Sequence, residues 1–216
     1  RKLWKHSLDS CALKDLESAI LKFERTSEDV PGWMIPDIYF AYLRTGNPGE
    51  LKEVVYHNAQ DIISLAALFI HVTTLLEGSL SPHDVAVEDL IAISGIYWDL
   101  GSFETSQKIL QATLPRVHRP DQNAMINSSL GRYYKKFGCS HESVKYWQAA
   151  ANKGDTAACI ELAMYYEHTV KDLPIALQWC EKALMITNNP ENSMINNGVL
   201  EDLQKRMYRL QHKRSE

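Results

Sequence analysis

The residues best placed to do chemistry lie in Tyr56-His57-Asn58-Ala59-Gln60-Asp61-Ile62-Ile63-Ser64-Leu65. His57 and Asp61 are four apart, so a helix through this segment sets an imidazole and a carboxylate on one face, a turn from each other. Such a pair suits metal-assisted hydrolysis. The carboxylate can hold a divalent ion, and the imidazole, titrating near neutrality, can take a proton from an attacking water. The spacing alone also fits a solvated helix face, on which His and Asp meet by chance.

The elements that must position this pair are helices. Alternating apolar and polar residues are nearly absent, whereas helical spacing and helix-start signals recur throughout, so the fold is expected to be all-α. Leu13, Leu16, Ile20 and Leu21 share one face of a first helix, which a turn through Asp29-Val30-Pro31-Gly32 ends. Pro36 can open a second, short helix carrying Tyr39, Phe40, Tyr42 and Leu43, stopped at Thr45-Gly46. Asn47-Pro48-Gly49-Glu50 then starts a long helical region whose apolar pattern runs to Glu77-Gly78, with a break expected near His57-Asn58. Gly78-Ser79 with Ser81-Pro82 marks a domain boundary, dividing the chain into 1–79 and 80–216.

Past that boundary the chain repeats. Ser94-Gly95-Ile96-Tyr97-Trp98, Leu130-Gly131-Arg132-Tyr133-Tyr134 and Leu162-Ala163-Met164-Tyr165-Tyr166 superpose at offsets of 36 and 32 residues. Small residues just before each aromatic pair let one helix approach its neighbour while the rings fill the gap. A second helix comes after each window, over Phe103 to Leu114, His141 to Ala151 and Pro174 to Ile186, with Trp147 and Trp179 equivalent. Helix pairs at this period indicate tetratricopeptide-like repeats, in which stacking completes a core that one repeat cannot bury. Met194 to His212 reads as a capping amphipathic helix. Its polar side carries Lys205, Arg206, Arg209, Lys213 and Arg214, suited to an acidic partner or to solubility.

Composition narrows the function. The chain has 216 residues, 45% hydrophobic and 23% charged, which excludes a disordered tail or a disulfide scaffold. A net charge of -4 excludes a general nucleic-acid coat, so any nucleic-acid contact must be local. Cys11, Cys139, Cys159 and Cys180 lack metal-site spacing and read as reduced thiols. The apolar run from Ile62 to Leu76 is interrupted and shorter than a bilayer span, so no membrane helix is expected. Arg1-Lys2-Leu3-Trp4-Lys5-His6 has neither an initiator Met nor a signal-peptide core, which reads as a cut start and a cytoplasmic chain.

Cys11 to Glu17, Phe23-Glu24-Arg25, Asp29-Val30-Pro31-Gly32, Ile35-Pro36, Tyr39-Phe40, Tyr42-Leu43-Arg44 and His57-Asn58-Ala59-Gln60-Asp61-Ile62 together resemble the YprB-type ribonuclease H-like domain, a branch of the DEDD 3'-5' exonuclease superfamily. The resemblance covers about the first 75 residues, and the repeat tail is similar to the region C-terminal to that domain in bacterial members. It implies a two-metal nuclease site in which four carboxylates hold Mg or Mn and a Tyr or His on the last helix orients water. Asp61 matches the final acid, a metal ligand. His57 matches the water-orienting residue, with Tyr56 favoured in a different register. Glu17 matches a structural glutamate. Arg25 and Arg44 are candidates for phosphate contact or for salt bridges.

The sequence also departs from that pattern. The D-x-E pair of the family's first strand would precede Arg1, and Asp9, Asp15 and Glu17 stand in the wrong context to replace it. Residues 1–79 therefore read as a helical remnant of a ribonuclease H-like α/β domain, catalytically silent and binding no metal by itself. Without the sheet, Leu13, Leu16, Tyr39, Phe40 and Leu65 would seek another partner, which favours self-association. The sequence supports two functions: the C-terminal part of a metal-dependent exonuclease acting on nucleic acid, or a non-catalytic helical-repeat module that binds a protein or peptide.

Overall fold

A computed structural model of the chain describes residues 2–5, 7–25, 30–78, 85–188 and 197–213. Among these residues every regular element is helical and none is a strand. The chain divides into two compact units, Arg1–Asp89 and Leu90–Glu216. The boundary expected at residue 79 lies outside the described residues.

In the first unit, α1 (Leu13–Leu16) runs into a π-helical turn, Glu17–Leu21, which ends where Lys22 takes a left-handed conformation at φ 55. α2 (Ile35–Thr45) starts with a first-turn proline and stops at Gly46, whose φ of 69 suits a residue without a Cβ. Asn47 Oδ1 accepts from the Gly49 amide at 3.0 Å and starts α3 (Gly49–Leu76). α3 is continuous. The break expected near His57-Asn58 does not occur, because His57, Ser64, Leu68 and Leu75 form one buried line that holds both halves of the helix to the same neighbours. Trp4 is buried too, and its ring stacks on His71 of α3 at 6.2 Å.

The other side of α3 is apolar and open. Val55, Ile62 and Phe69, seven residues apart, are each about two-thirds exposed, beside Ile63, Leu65 and Ile70. Tyr39, Phe40 and Leu43 on α2 are exposed as well. Of the residues expected to lack a partner, Leu16 is buried and Leu13 half-buried, whereas Tyr39, Phe40 and Leu65 are open. With 28 residues and an 18-residue window of mean hydropathy 1.6, α3 is the one described helix long and apolar enough to cross a membrane. The apolar run alone reads shorter because it omits the Gly49–Asp61 half. Length and composition do not separate such a span from a core helix.

The second unit is a series of helices: α4 (Val87–Asp99), of which Leu90 onward belongs here, α5 (Phe103–Thr113), α6 (Pro120–Lys136), α7 (Ser140–Ala151), α8 (Thr156–Tyr165), α9 (Leu173–Thr187) and α10 (Asn197–Lys213). From α5 onward each helix packs on the next, and α6 also meets α8, as in a stack of helical hairpins. Asp155 and Asp172 cap α8 and α9 by accepting from the amides of Ala158 and Ile175 at 2.7 and 3.0 Å. Ala150, Ala158, Cys159 and Leu162 are wholly buried, small or slender residues that let the helix backbones close up around Trp147. Ala163 packs with Trp179 32 residues beyond the Gly131 and Trp147 pair.

α10 closes the series against α9 through Leu203 and Leu210. Its basic side turns inward in part. Arg206 Nη1 and Arg209 Nη2 donate to Glu167 at 2.9 Å, in the π-helical turn Tyr166–Val170 after α8. Residues 194–196 and Arg214 of the expected terminal segment lie outside the described residues.

Candidate functional site

Asp61 and His57 share the buried side of α3, as the four-residue spacing predicts. His57 is packed in at 9% exposure, with the Tyr56 ring edge-on to it at 5.7 Å. Asp61 stands at the rim, its side chain 44% exposed.

Asp61 is held from below. Arg25 Nη2 donates to Asp61 Oδ1 at 2.6 Å, while Arg25 Nε and Nη2 donate to Glu17 Oε2 and Oε1 at 2.6 and 2.8 Å. Arg25 and Glu17 are buried to 7% and 1% side-chain exposure. Ser64, one turn after Asp61 on α3, also hydrogen-bonds Glu17. The Arg25 hydrogen bond holds the Glu17 carboxyl below its ordinary range, against the upward push of burial and with help from Ser64. An ionised pair so deep persists because both Glu17 oxygens are matched to guanidinium nitrogens. The π-helical turn makes this possible by carrying Glu17 inward beneath α3.

Arg25 thus makes a salt bridge, one of the two roles open to it, and the carboxylate it reaches is the candidate Asp61. Arg44, exposed in the last turn of α2, joins none of these contacts. Sequence spacing around His57 and Asp61 does not single out Ser64, although its place seven residues after His57 puts it on the same face.

A pair of hard divalent ions needs several carboxylate oxygens within reach. Among the described residues no group of three or more His, Cys, Asp or Glu side chains converges. Asp61 gives one oxygen to Arg25, and its other oxygen has no partner among the described residues. The residues present do not fit a two-ion centre unaided.

Residues 1–73 match the family model of the RNase_H superfamily. The chain is also similar to the uncharacterized protein YprB of Bacillus subtilis (strain 168), with 33% identity over 190 residues, covering 85% of this chain and 45% of that protein. The chain therefore spans less than half the length of this relative. The two matches support an RNase H-like domain in the first part of the chain.

Proposed function

We propose that this chain is the C-terminal portion of a metal-dependent 3'-5' exonuclease-like protein, in which Asp61 is one acid of the centre and His57 its water-orienting neighbour. The observation that carries this reading is the half-exposed Asp61 carboxylate held by the buried Arg25 and Glu17 pair, inside the segment that matches the RNase_H superfamily. A surface acid needs no such foundation for solubility. An acid that must meet a ligand in one orientation does.

By the same reading this segment alone is inactive, since one carboxylate and one imidazole leave most of a hard ion's coordination to water. Arg25 in this role keeps Asp61 aimed. The four thiols, all unpaired, suit a reducing cytoplasmic setting.

A labelled single strand incubated with the chain and manganese should stay intact. Degradation that disappears on His57→Ala or Asp61→Ala would overturn the inactivity, as would stoichiometric manganese uptake on α3. Reading the encoded frame upstream of Arg1 tests the parent identity: an acidic D-x-E on an apolar strand supports the nuclease, and its absence favours the alternative. That alternative is a tetratricopeptide-like interaction module, supported by the successive packing of α5 to α10.

A further inference from the structure

The end of α6 and the turn after it read Arg132-Tyr133-Tyr134-Lys135-Lys136-Phe137, three cations interspersed with three rings. In the second unit these residues join a chain of aromatic contacts along the hairpin turns. Trp98 meets Phe103 edge-on at 4.9 Å, Phe103 meets Phe137 at 6.1 Å, and Phe137 meets Tyr133 at 4.7 Å. Arg132 Cζ lies 4.3 Å from the centre of the Trp98 ring, and Lys136 Nζ lies 4.4 Å from that of Phe103.

Neither cation has a carboxylate partner among the described residues. A cation over a ring is stabilised by the ring quadrupole yet keeps its full charge, since no counter-charge is used up. Glu161 is spent on Lys135, and Glu104 lies close enough to Tyr133 to add to the upward push of burial on its hydroxyl. Beside Lys135 opens a cleft of about 280 Å³ that includes Trp147, Met164, Tyr165 and His168 in its walls.

We infer that this strip binds single-stranded nucleic acid, with backbone phosphates on Arg132 and Lys136 and bases on Phe137 and in the adjoining cleft. Charge selects a polyanion. The exposed Phe137 ring selects unpaired bases, because a duplex hides its own. Packing between helices accounts for Tyr134, which stacks on Tyr146 at 5.3 Å and 6°. It accounts for Phe137 only in part: the ring meets Phe103 and Tyr133 yet leaves 49% of the residue's surface to solvent, next in sequence to Lys136. The inference shares a ligand class with the nuclease reading and uses none of its residues.

The test is fluorescence anisotropy of the 216-residue chain with labelled oligo(dT) and oligo(rU) of about a dozen nucleotides, over a range of salt. Salt-sensitive binding is expected, weaker for a duplex of equal length. Arg132→Gln with Lys136→Gln should weaken it at least about tenfold and flatten the log-log salt slope by about 1.4, two phosphate contacts at roughly 0.7 each. Phe137→Ala should weaken it about fivefold or more at an unchanged slope. Lys205→Gln, the loss of an exposed cation on α10, should change nothing, and thermal melts of all variants confirm that they fold. Absence of binding by the unaltered chain overturns the inference. So does oligonucleotide binding that ignores all three strip substitutions, an outcome that leaves the nuclease reading standing. Binding of poly-glutamate, abolished by the same substitutions, in place of oligonucleotide would assign the strip to an acidic protein segment and overturn it too.

Discussion

Gly131 of α6 lies directly under the indole of Trp147 of α7: a Cβ on Gly131 would run into Cδ1 and Nε1 of the ring and stand 2.9 Å from its Cε2. Trp147 is 3% exposed, so the ring has little room to give way. Alanine would add about 1 kcal/mol of helix propensity. Overpacking a tight contact costs about 1–3 kcal/mol. Gly131→Ala should therefore lower the melting temperature by a few degrees, read by circular dichroism. A higher melting point would show that the indole moves freely.

Removing Arg25 strands the Glu17 carboxylate in a buried site. Arg25→Ala should cost about 3–5 kcal/mol in chemical denaturation, whereas Asp61→Asn, at the half-exposed end of the network, should cost about 1 kcal/mol or less. Replacing Glu17 and Arg25 together by Met should cost less than Arg25→Ala alone, because no charge is then left without its partner. Equal losses for Arg25→Ala and Asp61→Asn would mean the pair is not buried in solution.

Acid should unfold the second unit through Glu167. Burial pushes its carboxyl up, but the hydrogen bond and charge of Arg209, with His168 and Arg206, outweigh this and leave it below 4.5. A carboxylate with a depressed folded value adds stability above the unfolded value, and that stability is lost as pH falls through the folded one. Stability should thus decline below about pH 4.5, and Glu167→Gln should be less stable at neutral pH with a shallower acid decline. Denaturation midpoints from pH 7 to 3 measure both. An unaltered slope in the variant would exclude Glu167 as the source.

The open face of α3 and α2 should make the chain associate as concentration rises. Ile62→Glu with Phe69→Glu places charge on two residues exposed by 60% and 69% and should shift sedimentation toward monomer without lowering the denaturation midpoint. Association that persists in this double variant would place the contact elsewhere.

Much of the architecture is local and therefore readable in the chain itself. Gly46 and the Asn47 turn mark where helices stop and start, since they act through backbone conformation and hydrogen bonds a few residues long. Gly131 with Trp147 and Ala163 with Trp179 recur at 32 residues, so this recurring contact of a small residue with an indole is legible in the chain itself. His57 and Asp61 share a face by helical period alone.

Pairings at a distance were decided only by the path of the folded chain. Arg25 reaches Asp61 across 36 residues, and Arg206 and Arg209 reach Glu167 across 39 and 42. No spacing rule selects these partners, because burial first brings the charges together and then requires each to be matched. In the same way the helix runs unbroken through His57-Asn58. Local propensity there is weak, but burial of Leu68 and Leu75 on one side with His57 fixes a single helix. Helical period put Asp61 on the face of His57, and tertiary structure supplied the buried cation that holds it.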